Sequence, residues 1–138
     1  MKKNLKLLLI SILIVTIGHE LTLGQLINSP QGSSTDVHHW VEQNFTQGKI
    51  PPFSFEYGGK RSEKFIKNWK FKAEKGNAVE PNSEVSVFTY SEPSGGLSVK
   101  CTLTLYTDFP SVEWLLNFSN ISTKNSPIIE KVRKYCSS

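Results

Sequence analysis

The stretch from Leu97 to Ser119 constrains the fold more than any other part of this sequence. Apolar side chains alternate with polar ones from Leu97 to Tyr106, and a second alternating run extends from Val112 to Ser119. A side-chain period of two places one set on each face of a β-strand. The break at residues 107–110 is short enough to join two antiparallel strands. The sequence therefore predicts a β-hairpin with one apolar face.

This hairpin needs a cover for its apolar face. Burying that face returns less free energy than ordering the two strands costs, so the hairpin requires a second apolar layer. No segment has a helical pattern strong enough to supply it. The second layer can therefore lie elsewhere in this chain or beyond it. The inward residues are Val99, Cys101, Leu103, Leu105, Val112, Trp114, Leu116 and Phe118.

The N-terminus has the pattern of an export signal. Lys2, Lys3 and Lys6 precede an apolar run from Leu7 to Ile17, which is too short to span a bilayer comfortably. The small-residue rule favours cleavage after Gly24, which makes residues 1–24 a signal peptide and the protein secreted or periplasmic. An uncleaved N-terminal anchor is the alternative.

Charge argues against a nucleic-acid partner. The formal net charge of the 138-residue chain is +4, and three of the positive charges lie in the predicted leader, so the mature chain is close to neutral. Between residues 60 and 74 the basic side chains are interspersed with Glu63 and Glu74, which favours a solvated surface over a polyanion site. The basic residues are Lys60, Arg61, Lys64, Lys67, Lys70 and Lys72.

The cysteine pattern favours free thiols. An exported chain with two cysteines can form one disulfide. Cys101 occupies an inward strand position, where a thiol behaves as a small hydrophobe, and Cys136 lies in a polar tail. We expect both to be unpaired.

The rest of the chain divides into a lead-in segment, 25–49, and a β-domain, 50–138. The lead-in is rich in turn formers, and its residues 36–45 have helical spacing that also fits a short strand or turn. Strand patterns near residues 53–57, 69–74, 84–90 and 128–135 join the hairpin. Five or six antiparallel strands in a meander indicate an all-β fold, an antiparallel β-sandwich.

Aromatic residues between Gly48 and Gly59 are candidates for ligand binding. Phe53, Phe55 and Tyr57 share one face of a predicted strand. Together with Trp69 they are candidate residues for stacking on a carbohydrate. The same spacing is typical of a protein core, which we favour.

Motifs of catalysis are not recognisable in the chain. His38 and His39 are adjacent and point apart, so a surface pair is favoured over a metal site. The carboxylates cannot be paired from their spacing for glycoside hydrolysis. We predict no catalytic residue, metal or cofactor.

Several separated segments carry a family resemblance. In order, they are Pro51 to Lys60 (PPFSFEYGGK), Trp69 and Lys70, Gly96 to Cys101, Tyr106 to Trp114, and Ser126 to Glu130. Together they resemble the N-terminal β-domain of bacterial α-galactosidases in glycoside hydrolase family 36. The resemblance implies a β-supersandwich that packs against a catalytic (β/α)8 barrel, whose aspartates perform the chemistry. It also implies that part of the hairpin's cover lies beyond this chain, which would leave an open sheet edge prone to self-association.

A barrel needs about 250 residues, so the resemblance implies a chain that stops before it. The expected function is then the non-catalytic N-terminal portion of a secreted α-galactosidase-like hydrolase, inactive alone, with an α-galactoside-type glycan bound through the parent enzyme. A stand-alone secreted carbohydrate-binding module is the alternative, and an exported structural or adhesive β-protein is the third.

Overall fold

The computed structural model of this chain describes residues 33–135. The signal peptide predicted at 1–24 and the Cys136 thiol lie outside this range. The helix spans Ser34–Asn44, and two short 3₁₀ turns span Ser62–Lys64 and Ile66–Asn68. The strands are β1 (Phe53–Tyr57), β2 (Lys60–Arg61), β3 (Lys70–Lys75), β4 (Ser83–Ser91), β5 (Leu97–Tyr106), β6 (Ser111–Asn120) and β7 (Ile129–Lys134).

Four consecutive strands form an antiparallel meander in the order β3-β4-β5-β6. β5 and β6 pair along their whole length, with Val99 opposite Phe118 and Leu103 opposite Trp114. The predicted hairpin is confirmed, with its turn at residues 107–110. Its inward residues stand in rows across the sheet because the register keeps apolar positions opposite one another.

The remaining strands form a second sheet in the order β2-β1-β7. β7 pairs antiparallel with β1, with Ser54 opposite Arg133 and Tyr57 opposite Ile129. The antiparallel all-β sandwich is confirmed, but the expectation of a single meander is wrong. The polar segment after β6 carries the chain across to the other layer, where β7 completes a sheet begun by β1.

Strand β1 covers one half of the meander's inner face. The ring centroids of Phe53 and Tyr90 lie 5.8 Å apart, and those of Phe55 and Phe118 lie 5.2 Å apart. Both pairs are edge-to-face, an arrangement that aromatic quadrupoles favour. Phe53 and Phe55 are 0% and 1% exposed, respectively, so β1 is the second layer at this end of the sandwich.

The helix α1 (Ser34–Asn44) and the residue after it cover the other half. Ser33 and Asp36 form a capping box that fixes the start of the helix. Trp40 stacks on Trp114 with centroids 6.0 Å apart, and Phe45 stacks on Phe88 at 4.6 Å. The described part of the predicted lead-in segment therefore packs on the sheet.

The expectation that the cover lies beyond this chain is thus wrong. The inward side chains of β5, from Leu97 to Leu105, are at most 3% exposed. Aromatic side chains of β1, of α1 and of Phe45 directly after α1 supply this layer. The alternation in β1 predicts that strand, whereas the spacing of residues 36–45 is too weak to predict a helix that packs on the sheet.

Cys101 lies in this interior as a free thiol, which agrees with the sequence prediction. Burial raises the pKa of the thiol to about 12, so it stays neutral. Burial also raises the pKa of the neighbouring Tyr90 phenol.

Strand β6 forms one edge of the meander, and the end of β7 reaches it. The Lys134 ammonium donates a hydrogen bond of 2.7 Å to the backbone carbonyl of Trp114, and it also lies 5.9 Å from the centre of the Trp114 ring. A lysine on an otherwise open edge discourages pairing with another strand. Within residues 33–135, no helix is long and apolar enough to cross a membrane.

We predict that Leu103→Ala destabilises the protein by about 2–5 kcal/mol, because it opens a cavity in the interior. Leu115→Ala is the matched control, since Leu115 is 63% exposed on the next strand, and we expect it to change stability by less than about 0.5 kcal/mol. Urea unfolding measures both. Equal losses in the two variants would contradict the buried inner face described above.

Candidate binding cleft

A tight turn between β1 and β2 forms one wall of a cleft. Gly58 and Gly59 both have positive φ, at 56° and 74°, and Tyr57 pairs with Lys60 across them. Two residues with positive φ make the hairpin turn whose twist matches that of its strands. The turn thereby holds the Tyr57 ring and the Lys60 side chain at the mouth of the cleft.

Aromatic rings form the apolar side of the cleft. Phe65 and Trp69, from the segment after β2, stack with centroids 5.2 Å apart and an interplanar angle of 24°. Tyr57 stands edge-on to both, at 6.5 Å from Phe65 and 6.4 Å from Trp69. Tyr57 and Phe65 are half-buried, while Trp69 is 5% exposed. The surface that a ligand could touch is therefore mainly that of Tyr57 and Phe65.

Glu92 supplies the polar side, from the turn between β4 and β5. Its Oε2 accepts a 3.1 Å hydrogen bond from the backbone N–H of Leu97 and a long 3.5 Å bond from the Tyr57 hydroxyl. A Cβ on Gly96 would collide with Glu92 Oε2, so a larger residue there would displace this carboxylate from its present position. Because both bonds end on Oε2, Oε1 can accept a hydrogen bond from a ligand.

Pro127 closes the cleft from the segment before β7. The backbone N–H of Gly58 donates a 3.0 Å hydrogen bond to the carbonyl of Ile128, and a Cβ on Gly58 would lie 3.3 Å from the Cβ of Pro127. The space between these residues measures about 340 Å³ and is open to solvent. It is lined by Tyr57, Gly58, Lys60, Phe65, Trp69, Glu92 and Pro127.

These groups suit a ligand with both apolar and hydroxyl-bearing surfaces. The rings of Tyr57 and Phe65 can pack on an apolar ring face, since such contacts remove apolar area from water. A carboxylate accepts strong hydrogen bonds from hydroxyls, and the exposed ammonium of Lys60 can donate to oxygens or attract an anion.

The structure separates the four carbohydrate-binding candidates. Tyr57 and Trp69 line the cleft. Phe53 and Phe55 are buried beneath the meander, where no ring face is left for a sugar, so they belong to the core as the favoured interpretation predicted. The physical reason is their position along β1. Phe53 and Phe55 lie under the meander, whereas Tyr57, at the end of the strand, lies beyond the part that the meander covers.

Sequence reasoning missed Phe65, Glu92, Lys60 and Pro127 as cleft residues. Lys60 could have been found from the Gly58–Gly59 pair, since a two-glycine hairpin places the residues on either side of it opposite each other. Glu92 and Pro127 come from distant segments, and no local pattern relates them to Tyr57.

A second groove lies between the helix and β6. It measures about 280 Å³ and has an almost wholly apolar lining that includes Trp40, Trp114 and Tyr135. Its one acidic side chain, Asp36, already accepts a hydrogen bond from the backbone N–H of Ser33. Each site therefore has one carboxylate oxygen without a bond from the protein, but only the cleft also has a cationic side chain, Lys60, in its lining. The cleft thus has more capacity for polar recognition.

Within the described residues, no three His, Cys, Asp or Glu side chains are grouped to hold a metal ion. His38 and His39 both lie on α1, with the His39 ring hydrogen-bonded to Gln43.

Comparison of the chain with protein-family models, with curated proteins and with solved structures finds no match. The resemblance to family 36 hydrolases therefore remains an expectation from the sequence.

We predict that Glu92→Ala destabilises the protein by about 1–3 kcal/mol, because the N–H of buried Leu97 loses its side-chain acceptor. Glu92→Gln is the matched control, since the amide oxygen of glutamine can still accept the hydrogen bond from Leu97. We expect this variant to lose less stability than Glu92→Ala. Urea unfolding compares the two. If Glu92→Gln costs as much as Glu92→Ala, the carboxylate does not anchor this turn as described.

Proposed function

We propose that this protein is an exported β-sandwich module that binds carbohydrate in the cleft formed by Tyr57, Phe65, Trp69, Glu92 and Lys60. The observation that carries the proposal is the convergence of half-buried aromatic rings with a carboxylate and an ammonium around one open cleft. The export signal predicted at residues 1–24 supports a secreted or periplasmic location, where a glycan-binding module meets its ligands.

The dimensions of the cleft support a small sugar ligand. At about 340 Å³ it lies near the lower end of the range for ligand pockets, about 300–1,000 Å³. One or two sugar rings fit this space, with any further units of the glycan extending into solvent. The resemblance of the run Pro51 to Lys60 makes α-galactosides the first glycans to test.

The rigidity of the cleft also supports binding. Its walls belong to the Gly58–Gly59 turn, to the stacked Phe65 and Trp69 rings, and to the β4–β5 turn held by Glu92, each fixed by hydrogen bonds or ring packing in the free protein. A site that is already formed loses little conformational entropy when a ligand enters.

A glycan array tests the proposal. Wild-type protein, exported with its own leader, is expected to bind at least one oligosaccharide on an array that includes terminal α-galactosides. Tyr57→Ala is expected to weaken that binding about tenfold or more, because it removes the ring that a sugar would contact. An N-terminus at Gln25 in the exported protein would confirm the predicted cleavage.

Tyr106→Ala is the matched control. Tyr106 lies at the opposite end of β5 from the cleft, about 30 Å from Leu97 at the usual rise per residue, and its ring stacks on Phe109. Thermal unfolding verifies that both variants are folded. Equal weakening by the two substitutions, or no binding to any glycan by the wild type, would contradict the proposal.

A second proposal is that the chain is the non-catalytic N-terminal portion of an α-galactosidase-like hydrolase and supports a catalytic barrel. Large apolar side chains exposed in the C-terminal half favour it, since a surface that packs on another domain is apolar. These are Leu115, Ile121, Ile128 and Val132, exposed by 63%, 53%, 73% and 49%.

If those side chains form an interface, the isolated chain should self-associate. We expect Leu115→Lys and Val132→Lys to shift the sedimentation coefficient towards the monomer. Val79→Lys, at a side chain 89% exposed between β3 and β4, should have no effect. A wild-type chain that stays monomeric at about 100 µM would contradict this second proposal, as would hydrolysis of an aryl α-galactoside by the isolated chain.

A further inference from the structure

We infer that the glycan bound in the cleft is anionic, carrying sulfate or carboxylate groups that pair with lysines on the segment from Lys60 to Lys70. This inference rests on the proposed carbohydrate-binding function and names the class of ligand. It depends on the charge balance of the segment, its position beside the cleft, and the chemistry of the other cleft residues.

The segment from Lys60 to Lys75 is strongly basic after its internal ion pairs are taken into account. It contains seven Lys and Arg residues against two Glu residues. Each glutamate is paired within the segment, Glu63 with Arg61 and Glu74 with Lys72, both at 2.8 Å. The other five lysines of this segment have no carboxylate oxygen within 4.0 Å among residues 33–135, as is also true of Lys49, Lys100, Lys124 and Lys134 elsewhere. The five are Lys60, Lys64, Lys67, Lys70 and Lys75.

Most of these lysines flank the cleft. Lys60 lines it directly. Lys64 and Lys70 are the chain neighbours of Phe65 and Trp69, so their Cα atoms lie about 3.8 Å from those of cleft residues. All three are exposed, which leaves their ammonium groups free to reach a ligand that extends out of the cleft.

The residue pattern of the segment shows why its lysines face outward. Ser62, Ile66 and Trp69 are buried, whereas Lys64, Lys67 and Lys70 are exposed at a spacing of three. Lys64 ends the first 3₁₀ turn, Lys67 lies in the second and Lys70 begins β3. The segment therefore buries Ser62, Ile66 and Trp69 and exposes these three lysines, which together with Lys60 are called the lysine row.

Glu92 determines how an anionic glycan would be oriented. Its carboxylate repels anions but accepts hydrogen bonds from sugar hydroxyls. A ligand that satisfies both Glu92 and the lysine row therefore needs neutral hydroxyls on one side and an anionic group on the other. Acidic sugars, whether sulfated or uronic, have this combination.

A nucleic acid would fit the same surface less well. Single-strand binding depends on a series of aromatic faces on which successive bases stack, whereas a ligand in this cleft can touch mainly Tyr57 and Phe65. The carboxylate of Glu92, which lines the cleft from the β4–β5 turn, would also repel a phosphate backbone that crossed the cleft. An acidic glycan is therefore the favoured occupant.

Matched polymer pairs test the inference on the full chain. Dextran sulfate is compared with dextran, and polygalacturonate with its fully methyl-esterified form, by biolayer interferometry at 50 and 300 mM NaCl. We expect at least one charged polymer to bind about tenfold more tightly than its neutral partner. If dextran sulfate binds more tightly than polygalacturonate, the recognised group is a sulfate; the reverse order identifies a carboxylate. The higher salt concentration should weaken the binding, since exposed charges are screened.

Paired lysine variants test whether the site lies at the cleft. Lys60→Gln combined with Lys64→Gln should weaken binding of the preferred charged polymer about tenfold, since each exposed pair contributes about two- to fivefold. Lys75→Gln combined with Lys100→Gln removes the same charge elsewhere, because Lys75 lies about 20 Å along β3 from Trp69. This control should change binding less than twofold.

The outcomes separate this inference from the proposed function. Equal binding of charged and neutral polymers, lost in Tyr57→Ala, would overturn the inference and leave carbohydrate binding intact. Equal weakening by the two lysine pairs, or tighter binding of a single-stranded DNA oligomer than of dextran sulfate, would also overturn it. Binding to none of the polymers and none of the arrayed glycans would overturn both.

Discussion

The contact between β1 and the inner face of the meander is the interaction on which the structure depends. A four-stranded sheet with an apolar face is not stable in water unless that face is covered. Phe53 and Phe55 cover it at one end by edge-to-face packing on Tyr90 and Phe118. The helix and Phe45 cover the other end, and the buried surface is continuous between the two.

The same strand that closes the interior also produces the cleft. Phe53, Phe55 and Tyr57 follow a period of two, so all three point to the same side of β1. The first two are covered by the sheet, whereas Tyr57 emerges where the Gly58–Gly59 turn begins. The candidate binding surface thus arises as the continuation of a core-forming pattern, without a separate motif in the sequence.

Local patterns were sufficient to predict the hairpin, most other strands and the free state of Cys101. They could not show how the layers meet. The helical spacing of residues 36–45 is weak, and the stabilisation of α1 comes from contacts such as Trp40 with Trp114, whose residues are far apart in the chain. The period-two pattern of Phe53 and Tyr57 is equally compatible with core and surface. Only the position of each residue relative to the sheet end distinguishes them.

The pairing of β7 with β1 has a consequence for how the protein acquires its shape. Each meander strand pairs with its neighbour in the chain, whereas β7 pairs with β1, which lies more than 70 residues earlier. Bringing two such distant segments together costs more chain entropy and favours slower formation of this pairing. Pro127 enters the cleft only when β7 is seated, since it directly precedes that strand. The candidate cleft therefore lacks its Pro127 wall until β7 has paired with β1. A nascent chain in which β7 is still unpaired would have a hydrophobic layer but an incomplete cleft.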